Sequence, residues 1–586
     1  MFLTIKSTNI LNHKQLTWKD LQPDILQYKS VFSKIREHAV DPIERVQPRL
    51  INGIAHLCHQ KQGVPILLVC SSENYDYLKL IAQIAQNIIV PSSSLFGGNY
   101  QITNDTVILK PPSDTQHSFT SQGKVYFTDW IEKNLLFGYS CIYKNKIHLE
   151  PGLIHQANGG TLVLSLKSIL LQPKIWFYLK KSIEQGYIEL PPQNKKLPLP
   201  ILIPPIPLKL NLILCGDLES LQNFQIIDSE SYKMAIYTEF EEEITILNED
   251  DMLNWCRWTI YLAEKHKLPI PEETFWPELI KEGVRFTNDK EILPLCPRWL
   301  IRHIRESVLI MDKLLDGQAL HNVLKVRLWR ENYLKETIMN NLRQNLTATE
   351  GEVIGQINGL SVIDYPGHPR IIGVPSRITC VVYPGNNELV DIEGDAKLGG
   401  NIYVKSMMII QSYLMAQLKI QLPFVASLVL EQSYSEIDGD SASLAGICVL
   451  ISALSEYPIN QQIAVTGSID QLGNVQPVGS INEKIESFFD VCCMHNLTGK
   501  QGVIIPIQNT SHLSLNQEVV KSVKQNNFHI WTVTNINEAV YLLTGKFWKN
   551  KEDQENCLLH TIQKRISNYN TTPDSSQFSW LKWFYK

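Results

Sequence analysis

SLVLEQSYSEIDGDSASLAGICVLISALSEYP, residues 427–458, is the stretch whose reading decides the fold. It opens on an apolar run of strand character and crosses the turn-forming residues IDGD. It then continues with Leu444, Cys448, Ile451 and Leu454 at helical spacing, which predicts a strand leading through a turn into a buried helix. Ser441 stands at the mouth of that helix, where unpaired backbone N–H groups and the helix dipole favour a developing negative charge. A serine or aspartate there is equally at home as an N-cap worth about 1 kcal/mol, with no chemistry attached. The local pattern leaves both readings open.

Downstream lies QQIAVTGSIDQLGNVQPVGSINEKIESFFDVC, residues 461–492. AVTGSI and NVQPV read as paired strands around a glycine-containing turn. INEKIESFF starts a helix with Ile481, Ile485 and Phe488 on its apolar side and Lys484 one turn in, beside that stripe. A helical lysine is ordinarily a solvated charge. One drawn into an apolar pocket loses basicity through desolvation and can take the proton of a serine hydroxyl. Spacing alone makes Ser441 and Lys484 candidates for such a pair and does not bring them into reach of each other.

The remainder of the chain sets the context. Its 586 residues, 44% hydrophobic, are enough for three or four domains with real cores. A net charge of −5 argues against a dedicated nucleic-acid binder while leaving a local basic patch open. Eleven scattered cysteines with no C-x-x-C read as buried thiols of a reducing compartment, neither a disulfide framework nor a zinc site. His56 and His59 form an isolated H-x-x-H that lacks the other ligands of a metal site. No export signal opens the chain, and prolines together with Lys209 spoil the apolar stretch 197–215 as a membrane span. A cytoplasmic protein is expected.

The first half announces a parallel α/β sheet. Helical LINGIAHLCHQ precedes the buried-strand candidate VPILLVC (64–70), and helical YLKLIAQIAQNI follows; TLVLSL (161–166) and LNLILC (210–215) are further buried strands. The turn after VPILLVC is where a phosphate cradle would lie, and it reads SSENYDY, with no glycine and no Lys-Ser pair. TLVLSL ends in Ser165 and Leu166, where an acidic pair would be needed to hold magnesium. Helical periods then run from Met252 to Leu342.

Residues 353–548 resemble the proteolytic domain of Lon proteases, in the B-type branch. The segments GQINGLSV, PSRITCVVYPG, DIEGDAKLGGNI, SLVLEQSYSEIDGDSASLAG, AVTGSIDQLGNVQPVGSINEKIE and GVIIP carry the resemblance, in family order. The length and the opening LTWKDLQPD are similar to a bacterial group of Lon homologues with a degenerate ATPase domain. The resemblance implies an α/β and α+β multidomain architecture in which a degenerate AAA+-like α/β domain with a helical subdomain precedes a Lon-type Ser–Lys proteolytic domain. The expected segments are 1–45 (N-terminal), 46–345 (AAA+-like, without Walker A and Walker B residues), 352–548 (proteolytic) and 549–586 (a tail ending in FSWLKWFYK).

Carried over by position, GDSAS places the family's nucleophile at Ser441 and NEK its general base at Lys484, 43 residues on. Thr466 falls where a family threonine helps orient the lysine, and Asp440 is the acidic residue before the nucleophile. Glu393, in DIEGD, matches an acidic position that is as readily a structural salt bridge as a catalytic group. Ser480 departs from the usual glycine pair before the lysine helix, and serine takes glycine's backbone conformations only at a cost. Leu444-Ala445-Gly446 departs too, where an acidic residue often follows the alanine. Residues 151–190 resemble the segment around the family's acidic magnesium strand, and 297–308 a later helix whose arginine contacts nucleotide, with Arg298 or Arg302 the nearest equivalents.

The function implied is a serine endopeptidase that cleaves peptides or unfolded proteins without ATP hydrolysis and with no cofactor, since the Mg–ATP expected of the family lacks its motif residues. Polypeptide substrates and a homo-oligomer, in the family a hexameric ring, are the partners implied, with no membrane. Two alternatives stand beside it. One is an ATP-dependent protease using unorthodox nucleotide contacts or a partner ATPase, and the other is a non-catalytic ring scaffold that holds polypeptides.

Overall fold

A computed structural model describes residues 15–35, 42–59, 65–89, 94–103, 106–114, 116–144, 146–194, 201–311, 314–344, 348–384, 388–419, 424–431, 437–550 and 554–571. The chain packs as two compact units. One holds 30–271 and 294–309; the other holds 1–29, 272–293 and 310–586. The helical stretch after Met252 is thus divided, with 272–293 and 310–344 belonging to the unit of the proteolytic segment.

The first unit is built on five parallel strands, spatially Ile236–Glu239, Ile66–Cys70, Asn211–Gly216, Thr161–Ser165 and Val125–Thr128. The near-continuous apolar runs ILLVC and TLVLS are what a sheet covered on both faces requires, and every residue of the latter is buried. Helix Tyr75–Ile88 begins at Asn74, whose side chain accepts the N–H groups of Asp76 and Tyr77. Helix Pro173–Gln185 buries Trp176 and Leu179 in the same core as Leu162, Leu164, Leu212 and Leu214.

The second unit is built on a seven-stranded mixed sheet. Its order is Glu388–Asp391, Phe424–Leu430, Ile372–Pro384, Gln356–Ile363, Ile463–Val465, Gly502–Pro506 and His529–Val533. Strand alternation sends successive residues to opposite faces. Ile504 joins the core around helix Ser443–Ser455, while Val503 and Ile505 join the core around helix Ile481–His495. Ile463 and Val465 divide from Ala464 in the same way. The two helices that the sequence marks for chemistry therefore cover opposite faces of one sheet.

The chain's first described residues cover an edge of that sheet. Gln15 bridges Trp531, the Leu16 N–H donates to the Ile530 carbonyl at 2.8 Å, and Leu21 is fully buried beside helix Ile481–His495. Helix Leu558–Thr571 buries Leu558, Ile562 and Ile566 against helix Ser443–Ser455. The aromatic end FSWLKWFYK lies outside the described residues. All eleven cysteines are free, and no helix among the described residues is long and apolar enough to cross a membrane.

Candidate active site

The predicted strand, turn and helix around Ser441 are present, with strand Phe424–Leu430 and helix Ser443–Ser455. The capping alternative is not what the structure shows, because the N-cap position is Ala442 and no side chain caps the helix. Ser441 sits just outside the helix on a half-buried turn. Asp438, which sequence reasoning passed over, anchors that turn. Its carboxylate accepts the N–H groups of Ile402 at 2.9 Å and Tyr403 at 3.1 Å, at the start of helix Asn401–Leu418, and that of Gly439 at 3.0 Å. The Gly400 N–H donates to the Ile437 carbonyl alongside.

The other side of the turn is pinned to the end of strand Ile463–Val465. The Gly467 N–H donates to the Ser441 carbonyl at 3.0 Å and the Thr466 hydroxyl to the same oxygen at 3.4 Å. Ser468 donates to the Asp440 carboxylate at 2.7 Å, and the Ser443 hydroxyl accepts the Ile469 N–H at 3.1 Å. A Cβ on Gly467 would lie 2.9 Å from the Leu444 side chain, so the glycine permits this close approach. Thr466 is fully buried, and its hydroxyl bond goes to the Ser441 turn.

Lys484 is 2% exposed, against the expectation for a helical lysine. Helix Ile481–His495 turns it inward with Ile481, Ile485 and Phe488. Burial pulls its pKa down to about 8, opposed by the negative charge of Asp440. Lys484 and Asp440, the residue before Ser441, thus interact electrostatically, although helices Ile481–His495 and Ser443–Ser455 lie on opposite faces of the sheet. Ser480, just before the helix, has φ 53° and ψ 41°, the left-handed conformation that glycine adopts freely. Its carbonyl accepts the Lys484 N–H at 3.2 Å.

Two helical N–H groups near Ser441 are already engaged, that of Ser443 by the Asp440 carbonyl at 3.0 Å and that of Leu444 by the Gly467 carbonyl at 3.1 Å. Glu393 is buried. It accepts the Leu430 N–H at 2.7 Å and the Tyr403 hydroxyl at 3.4 Å, and no salt bridge holds it among the described residues.

In the five-stranded unit, the place where a nucleotide would bind is beyond the carboxyl ends of the strands. There Glu73, in the turn after Ile66–Cys70, accepts the Ser165 hydroxyl at 2.7 Å and the Lys167 N–H at 2.5 Å. Ser165 in turn caps helix Leu166–Leu170. Asp76 sits in the first turn of helix Tyr75–Ile88, 3.6 Å from Arg298, while Arg302 pairs with Glu306 at 2.9 Å. The turn and strand end that would cradle phosphate and magnesium are thus tied together by a carboxylate, with a second carboxylate at the helix start. Both carboxylates are engaged by protein groups, and the turn has neither the glycines nor the lysine of a phosphate cradle, so the residues present do not match the usual magnesium-nucleotide site. No group of three or more His, Cys, Asp or Glu with metal-holding geometry occurs among the described residues.

Comparison with known proteins agrees with this architecture. Residues 131–240 match the profile of the LonB-like AAA domain, and residues 331–544 that of the Lon protease (S16) C-terminal proteolytic domain. A Lon protease homologue of Escherichia coli (strain K12) is 42% identical over 583 residues, covering 97% of this chain and 99% of that protein. A Lon protease homologue of Haemophilus influenzae is 35% identical over 573 residues, 94% of each chain. The archaeal Lon protease of Thermoplasma volcanium is 23% identical over 413 residues, covering 64% of this chain and 58% of its own. With both domains matched in order and similarity sustained from end to end, this chain belongs to the Lon protease family.

Proposed function

We propose that the chain is a serine endopeptidase cleaving peptides or unfolded polypeptides through a Ser441–Lys484 dyad, without hydrolysing ATP. The observation that supports this reading is that Lys484 is buried, which lowers its pKa to about 8, and interacts electrostatically with Asp440, the residue before Ser441. At pH 7 about a tenth of such lysines are neutral, enough for a general base. Neutral Lys484 takes the Ser441 hydroxyl proton as the oxygen attacks the peptide carbonyl, then passes it to the departing amine. Water, deprotonated by the same lysine, releases the acyl group from Ser441. Asp440 steadies the lysine while it is charged. Because the Ser443 and Leu444 N–H groups are engaged, the oxyanion falls to N–H groups of the turn itself, at Ser441 and Ala442.

The nucleotide half of the reading rests on Glu73, Asp76 and the glycine-free turn. The five-stranded unit then serves as scaffold in a homo-oligomer, and polypeptides are the partners. Hydrolysis of an unstructured peptide by wild type, Ser441→Ala and Lys484→Ala, each with and without Mg–ATP, tests both halves. Turnover abolished in both variants and unmoved by nucleotide is expected. Turnover that survives Ser441→Ala, or that rises severalfold with ATP, overturns the corresponding half.

A further inference from the structure

Glu483, Glu486 and Asp490 stand at i, i+3 and i+7 on helix Ile481–His495 and form one acidic stripe, roughly a third of a turn or more around the helix from Lys484. Such a stripe is ordinarily solvated; here it is gripped. The Arg285 guanidinium, from helix Phe275–Thr287, donates to both carboxylate oxygens of Glu486 at 2.7 and 3.1 Å and to Glu483 at 3.0 Å. It also donates to the Ser514 carbonyl at 3.2 Å, and Glu486 accepts the Asn516 N–H at 2.8 Å. Further along, Lys335 of helix Tyr333–Gln344 holds Asp490 at 2.6 Å. From the sheet side, Gly373 lies so close that a Cβ there would meet the Glu483 carbonyl oxygen at 2.1 Å.

We propose that Arg285 is a positioning residue for the general base: by gripping Glu483 and Glu486, which flank Lys484 in sequence, it fixes the rotation of helix Ile481–His495 and so the place of the Lys484 ammonium. This rests on the dyad reading above. The leverage is geometric. At about 6 Å from the helix axis, a rotation of about 20° moves a side-chain atom by about 2 Å, and misplacement on the scale of about 1 Å costs a catalytic group on the order of a hundredfold. A bidentate arginine–carboxylate pair resists such rotation because both donors and both acceptors are fixed in plane. The helix bearing Arg285 lies in the stretch that sequence alone assigns to the ATPase-like segment, so part of that segment acts on the peptidase site.

The test is the pair Arg285→Met with Glu486→Gln, which removes the grip without a net change in charge and keeps an acceptor for the Asn516 N–H. The charged groups that act on the helix include Asp440, which interacts with Lys484, and Arg285, Lys335, Glu282, Glu483, Glu486, Asp490 and Glu518. Peptide hydrolysis is measured from pH 6 to 10, with melting followed alongside. The double variant is expected to melt within a few degrees of wild type, to lose about tenfold or more in kcat with KM within about twofold, and to move the acid limb of the profile to higher pH as Lys484 becomes more exposed. Unchanged kcat and an unchanged limb in the folded variant overturn the proposal. If the double variant does not fold, Arg285→Lys carries the test, since it keeps the charge but not the bidentate grip. A severalfold kcat loss with the same direction of shift supports the proposal, and a wild-type profile overturns it. Turnover persisting in Ser441→Ala instead refutes the dyad itself, whatever Arg285 does.

Discussion

Lys484→Met should stabilise the protein at neutral pH while abolishing its activity. A lysine titrates near 10.5 when unfolded, and here burial holds it near 8. Below pH 8 the side chain is protonated in both states, and the folded protein bears the full cost of a desolvated ammonium. That difference of about 2.5 units corresponds to about 3 kcal/mol at about 1.4 kcal/mol per unit. Between pH 8 and 10.5 the folded state sheds the proton before the unfolded state does, so the cost fades as pH rises. Methionine fills a similar volume and carries no charge. For a unit of this size, about 3 kcal/mol is a rise in melting temperature of about 5 °C or more. Wild type and variant are to be melted at intervals from pH 6 to 10.5, with the gap expected largest below pH 8 and closing above it. A variant that melts lower at pH 7, or a gap that ignores pH, would refute the reasoning that this ammonium is held in an apolar site.

Other perturbations follow from the same geometry. Ser480→Gly removes the left-handed strain before the lysine helix and should raise stability by about 0.5–1 kcal/mol, read as a higher urea midpoint. Asp438→Ala frees the Ser441 turn from helix Asn401–Leu418 and should cost about 1–2 kcal/mol in the same assay, with kcat reduced as well. Glu393→Gln keeps an acceptor for the Leu430 N–H and should be nearly silent, whereas Glu393→Ala strands that buried group and should cost about 1–3 kcal/mol in chemical unfolding. Millimolar Mg–ATP should leave the melting temperature unmoved, because a ligand that does not bind the native state cannot stabilise it.

The legibility of the chain followed physical range. ILLVC, TLVLS and NLILCG were readable as buried parallel strands because each is a short apolar run between helical periods, a signal complete within a few residues. The Ser441 turn and the Lys484 helix were each visible locally. Their union was not, because the two helices cover opposite faces of a sheet, and only tertiary packing brings Asp440 to bear on Lys484. Only the family resemblance pairs Ser441 with Lys484. The absence of glycine from the turn after Ile66–Cys70 is legible in the sequence, while the bond from Ser165 to Glu73 at that turn spans 92 positions. Arg285 was hidden for the same reason, lying 201 residues from Glu486 in a helix whose own period says nothing of its partner. The unit boundary at 272–293 was equally out of reach, since a helix pattern records which face is apolar and not which core receives it.

The most direct test of the account is covalent labelling with a serine-reactive phosphonate, its site mapped by mass and its rate followed with pH. One adduct is expected, on Ser441, forming faster as pH rises through about 8, slowed on the order of a hundredfold or more in Lys484→Met and indifferent to Mg–ATP. An adduct elsewhere, or equal labelling of Ser441 in the Lys484→Met variant, would contradict it.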